Sequence, residues 1–168
     1  MLRFFFRFPI VAFVVLLLSL QAATAVEKGS GLPLPRFVSL RVNEVNMRTG
    51  PGVQYPIEWV YSRQYLPMEV IAEYSTWRKV RDWQGGQGWV HQSMLGGRRS
   101  FIVTGTTRTI RSGPSAKSKP VARAETGVIG TLSECPRESG WCRVEAAGRK
   151  GWLRRVDFWG IERDEVIE

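Results

Sequence analysis

Trp77-Arg78-Lys79-Val80-Arg81, followed by Gly88-Trp89-Val90, is the stretch that decides how this chain folds. Its side chains alternate with a period of two, which places Arg78 and Val80 on one face of a strand and Trp77, Lys79 and Arg81 on the other. Gln84-Gly85-Gly86-Gln87 supplies a glycine-rich hairpin loop back to the second strand. The pair then recurs. Trp141-Cys142-Arg143-Val144-Glu145 and Gly151-Trp152-Leu153 repeat it 64 and 63 positions on, and Met47-Arg48-Thr49-Gly50-Pro51 is answered by Ile110-Arg111-Ser112-Gly113-Pro114, again 63 on. Three matches at one spacing define an internal repeat.

The chain of 168 residues therefore holds two units of about 60 residues each. A unit that small buries only about 60% of the surface its unfolded chain exposes, so it needs a partner domain or a crosslink. Outward from the opening stretch, Phe37, Ser39 and Arg41 alternate with Val38, Leu40 and Val42; Val45 to Arg48 and Met68 to Tyr74 are further strands. Gln54 to Gln64 has no clear period and is expected to be a long excursion. His91 to Leu95 suits a single helical turn, and no long amphipathic helix is predicted anywhere. Phe158-Trp159-Gly160-Ile161 is too apolar to fray and is expected to pack back, whereas the last acidic residues are expected to be disordered. The result is an all-β fold of small closed or nearly closed barrels.

Asn46-Met47-Arg48-Thr49-Gly50-Pro51-Gly52, then Trp77 with Val80, then Gly88-Trp89-Val90, resembles the bacterial SH3 domain. The resemblance covers about Arg36 to Leu95 well and Phe101 to Trp159 more loosely. It implies two SH3-like barrels in tandem, acting as a non-enzymatic recognition module of an exported protein at or near the cell wall; several relatives bind peptidoglycan or its peptide parts. The predicted division is residues 1–25 signal peptide, 26–35 linker, 36–97 first domain, 98–160 second domain and 161–168 acidic tail. The second copy departs from the pattern, with Thr109 in place of Asn46 and Ser115-Ala116-Lys117-Ser118-Lys119 in place of an aromatic excursion.

Export is also predicted from the N-terminus itself. Arg3 and Arg7 precede the apolar run Ile10 to Leu20, and Ala23-Thr24-Ala25 is a small-residue cleavage site, so cleavage is expected after Ala25. The alternative is an uncleaved anchor. Past this run no spanning segment is expected, and the location is periplasmic or otherwise exported. An even cysteine count in such a chain favours a Cys135–Cys142 disulfide across a hairpin neck. Formal charge is +9, and +7 without Arg3 and Arg7, which points to an anionic contact surface or to solubility alone. Export argues against nucleic acid as the partner.

Catalysis needs partners that this chain lacks. His91 is the single histidine, no local motif supplies a nucleophile for it, and it is expected to cap the short turn. Glu69 and Glu73 are expected on the opposite strand face from Met68 and Val70, and no convincing pair of catalytic carboxylates is predicted. No catalytic residue, metal site or cofactor is predicted. Binding is better supplied: seven tryptophans occur, and aromatic side chains hold extended peptides at low entropic cost. Asn46, Tyr55, Trp59, Tyr61 and Trp77 are the candidate ligand residues, while Trp89 and Trp152 are assigned to packing. Arg48 and Arg111 are either a structural brace or a ligand contact. The expected partner is a cell-wall peptide or an envelope protein segment; a structural adaptor docking through a basic face is the alternative.

Overall fold

The structure, a computed structural model, describes residues 29–168, so the export segment and its cleavage site lie outside the described residues. The first repeat contributes β1 (Arg36–Leu40), β2 (Val45–Arg48), β3 (Ile57–Tyr61), β4 (Pro67–Tyr74), β5 (Trp77–Arg81), β6 (Gln87–His91) and β7 (Leu95–Gly96), with a 3-10 turn at Gln92–Met94. The second contributes β8 (Ser100–Val103), β9 (Arg108–Arg111), β10 (Pro120–Ala124), β11 (Ile129–Glu134), β12 (Trp141–Ala146), β13 (Arg149–Arg154) and β14 (Phe158–Trp159), with a 3-10 turn at Arg155–Asp157.

Each repeat forms one antiparallel seven-stranded sheet, ordered β3-β2-β6-β5-β4-β1-β7 and β10-β9-β13-β12-β11-β8-β14. The strand order is the same, so the sequence repeat is a structural duplication. Closed barrels are not what forms. β3 pairs only with β2, and the two-residue β7 pairs only with β1, so the ladder ends before the sheet meets itself.

Alternation in β5 and β12 builds the cores. Val80 and Val144 point inward and are buried, beside Met68, Val70 and Val90 in the first repeat and Phe101, Val103 and Leu153 in the second. The glycine before each returning tryptophan has a steric reason. A Cβ on Gly88 would stand 2.5 Å from Met47 Cγ and 2.9 Å from the Arg48 carbonyl oxygen, and one on Gly151 would stand 2.5 Å from the Arg111 carbonyl oxygen. Only glycine lets β2 and β9 approach β6 and β13 this closely.

The carboxylates of β4 correct the sequence reading. Glu69 is buried, and its Oε2 accepts from Arg81 Nε at 2.6 Å. Glu73 accepts from Arg36 at 2.5 Å and from Ser30 Oγ at 2.7 Å, with Arg78 Nε at 3.1 Å. Both carboxylates stand directly opposite an arginine of β5, Glu69 opposite Arg81 and Glu73 opposite Arg78, and a register shift between Val70 and Ala72 turns Glu73 to the face of Arg78. Arg78 itself, on the inward face of β5, is satisfied by the carbonyls of Ser75 and Trp77 and by Gln92 Oε1.

The repeats share a seam. Ile102 belongs to the first repeat's core, Trp159 and Ile129 pack against that core, and the Phe37 and Trp159 rings meet edge-on at 4.8 Å. Arg98 lies over the Tyr65 ring at 4.3 Å, and Arg63 donates to the Gly127 carbonyl at 3.0 Å. The disulfide Cys135–Cys142 is present at the neck between β11 and β12, wholly buried.

Disorder of the acidic tail is not observed. Cys135 and Ile167 exchange backbone hydrogen bonds of 2.8 and 3.3 Å, and Ile167 packs on the second core. Arg155 fans onto the carbonyls of Cys135, Pro136, Ser139 and Glu165, and Arg99 pairs with Glu165. The tail is acidic in composition, but its partners are two arginines and a free strand end.

Candidate functional site

The excursion of the first repeat folds as β3, an edge strand whose position fixes its side chains. Trp59 and Tyr61 share one face, set opposite Met47 and Val45, while a register shift at Glu58 turns Ile57 to the face of Arg48. Tyr61 is buried; Trp59, one step nearer the open end of the sheet, is 59% exposed. Between them and the β5–β6 hairpin lies a cleft of about 250 Å³, lined by Met47, Glu58, Trp59, Tyr61, Asp82 and Gln87 among others.

Electrostatics give the cleft a sign. The Tyr61 hydroxyl donates to Asp82 Oδ2 at 2.7 Å. Burial, that hydrogen bond, and the charges of Asp82 and Glu58 all push the phenol above its ordinary range, so it remains a donor across physiological pH. Asp82 Oδ1 meanwhile accepts from the backbone N–H groups of Gln84 and Gly86, at 2.9 and 2.8 Å, which fixes the hairpin loop as the far wall. Two carboxylates and an open indole ring make a site suited to a cation or an amine-bearing peptide.

Only part of the candidate set gathers here. Trp59 and Tyr61 line the cleft. Tyr55 instead covers Gly50, where a Cβ would stand 2.4 Å from its ring. Asn46 lies on the opposite face of β2 from Met47, and Trp77 lies on the outer face of β5, its ring edge-on to His91 at 5.4 Å. Met47, Glu58 and Asp82 were not singled out by the sequence reading. The register shift at Glu58 breaks the alternation of β3, and the Tyr61–Asp82 contact joins residues 21 positions apart, so neither leaves a local trace.

Arg48 resolves as a brace. Its Nη1 donates to the carbonyls of Val53 and Tyr55 at 3.1 and 2.7 Å, and Arg111 does the same to Ser118 at 2.9 Å. Trp89 and Trp152 are half-buried and sit on the outer face, Trp89 between Arg48 and Lys79 and Trp152 between Arg111 and Arg143. They are cross-strand neighbours of cations and belong to neither core. His91 Nδ1 lies 2.7 Å from Ser93 Oγ and accepts from the Ser93 N–H, so it caps the 3-10 turn.

Repeat two lacks the aromatic lining of this cleft. Ala122 stands opposite Ile110 and Ala124 opposite Arg108, where the first repeat has Trp59 and Tyr61. A larger opening of about 600 Å³, beside Ser133, Glu134 and Ile167, is shallow and carries no aromatic side chain. Among the described residues no group of three or more His, Cys, Asp or Glu converges as a metal site, and no helix is long and apolar enough to cross a membrane.

A family model described as the bacterial SH3 domain matches residues 41–97 and again 105–160. Comparison with curated proteins gives no match. Two solved structures share part of the architecture, NlpC2 and NlpC1 from Trichomonas vaginalis, each 14% identical with a TM-score of 0.34. They cover 74% and 81% of this chain, which spans about half of theirs (48% and 49%), and at that similarity no inference passes from them.

Proposed function

Because the chain belongs to the bacterial SH3 domain family, we propose that it is an exported, non-enzymatic binding module that recognises a cell-wall peptide or an envelope protein segment through its first repeat. One observation carries this reading: the second sheet forms with Ala122 and Ala124 at the positions of Trp59 and Tyr61, so the fold does not require the aromatic lining of the first repeat's cleft. An exposed indole beside Glu58 and Asp82 suits a peptide that bears a free amino group.

A second reading rests on the rows Arg48–Trp89–Lys79 and Arg111–Trp152–Arg143, which give both sheets a basic outer face. On it, the protein is an adaptor docking to an anionic envelope surface. Co-sedimentation with purified peptidoglycan separates the two. Cleft recognition predicts loss of binding in Trp59→Ala and retention in Trp77→Ala. Loss with salt alone, with Trp59→Ala unchanged, supports the basic face. No sedimentation under any condition sinks the cell-wall reading.

A further inference from the structure

The outer face of the second sheet carries its own pocket, of about 290 Å³, in which Arg108, Arg111, Arg154, Asp157 and Trp141 meet with Thr109. Asp157, buried at the end of its 3-10 turn, is 3.1 Å from Arg108 Nη1 and takes Arg154 in a two-pronged pair, at 3.0 Å to Nε and 3.1 Å to Nη2. Arg111 spends one nitrogen on the Ser118 carbonyl and has no acidic partner among the described residues. Three guanidinium groups against one carboxylate leave the pocket at +2.

The first repeat serves as an internal control. Trp77 and Arg48 match Trp141 and Arg111 by register, but Val45, His91 and Met94 stand where the second repeat has Arg108, Arg154 and Asp157. The same sheet therefore forms without these three charges. Arg108 occupies a register position whose counterpart, Val45, is core, and its Nε is buried without a hydrogen-bond partner. Arg108 thus keeps a donor free of protein partners beside its ion pair with Asp157.

We infer that this pocket binds a carboxylate, presented by a peptide C-terminus or an acidic side chain. A guanidinium pairs with a planar two-oxygen anion in parallel hydrogen bonds, and each arginine has five N–H donors of which few are spent here. Arg111 and Arg154, the latter 51% exposed, supply the reachable donors, and the Trp141 ring walls the apolar part of the ligand. The pocket is distinct from the cleft of the first repeat and takes a ligand group of opposite charge.

The test is titration of the 15N-labelled protein with acetyl-Ala-Ala, its C-terminal amide, acetyl-glutamic acid α-amide and inorganic phosphate, following the Trp141 indole and arginine Nε–H signals. A peptide terminus as the ligand predicts saturable shifts with acetyl-Ala-Ala; a side-chain carboxylate predicts them with the glutamic acid probe. Binding by the amide is expected to be at least about tenfold weaker, as is binding of the carboxylate by Arg154→His, which restores the first repeat's residue. The triple change R108V/R154H/D157M should abolish binding while the sheet persists. Equal shifts with the free acid and the amide, no shift with either carboxylate, or saturation by phosphate alone would overturn the assignment. The comparison of acid with amide on the unmodified chain decides the matter even if a variant fails to fold.

Discussion

At Glu73 four donors converge on one carboxylate: the side chains of Arg36, Arg78 and Ser30, and the Ser30 backbone N–H. Burial alone raises this carboxyl, but the hydrogen bonds from Arg36 and Ser30 and the charge of Arg36 outweigh it and hold the group down to about 2, against an ordinary value of 4.5. The folded form thus binds its proton more weakly than the unfolded form, and the stabilisation is complete above pH 4.5. It is lost as pH falls from 4.5 towards 2. Glu73→Gln should therefore flatten the acid limb of stability against pH in chemical denaturation; an unchanged limb in that window contradicts the role given to Glu73. Strict alternation put Glu73 opposite the face of Met68 and Val70, but the register shift between Val70 and Ala72 turns it to the face of Arg78, its cross-strand partner. Arg36, at the start of β1, and Ser30, in the segment assigned as linker, left no local trace. Trp59 and Tyr61 were legible as aromatics of an excursion that the second repeat lacks, and the pairing of β3 with β2 then sets both on one face.

At the scale of the element, the hairpin β11–β12 is closed by a disulfide spanning seven positions. Cross-linking so short a loop contributes roughly 2–3 kcal/mol in the chain-entropy model. Reduction should lower Tm by roughly 5–10 °C for a chain of this length, and non-reducing mass analysis should find no alkylatable thiol. Two alkylatable thiols in the native protein contradict the pairing. The same hairpin anchors the C-terminal segment, since the Cys135 backbone bridges Ile167 and Arg155 binds the Cys135 and Pro136 carbonyls. Strands, turns and the cysteine pairing could be read from period-two alternation and glycine placement. The docked tail could not, because its composition is that of a solvated chain and its order depends on Arg99 and Arg155, 66 and 10 residues from Glu165.

At the scale of the whole molecule, the two repeats are joined through apolar contact as well as through chain. Ile102 lies in the second repeat by sequence and in the first repeat's core by packing. Ile102→Ala should cost about 2–5 kcal/mol, the range for truncating a buried isoleucine, and the loss should be felt in the first repeat. In urea the chain should unfold in one transition seen alike by tryptophan fluorescence and far-UV circular dichroism. Two resolved transitions, with Ile102→Ala moving only the second, would contradict the shared core. The duplication also separates structure from use: what both copies keep, the inward valines, the close-approach glycines and the arginine braces, builds the sheet. What differs, an acidic aromatic cleft in one copy and a cationic pocket in the other, is where ligands are expected.

The central claim is that the first repeat's cleft is the peptide site, and a soluble peptidoglycan fragment carrying a free amino group tests it most directly. Added to the 15N- and methyl-labelled protein, it should shift the Trp59 indole and the Met47 methyl signals first, saturably, and lose at least about tenfold in affinity in Asp82→Asn. Shifts confined to the outer face, at Trp77, Trp89 or His91, with Trp59 and Met47 unmoved, would contradict it.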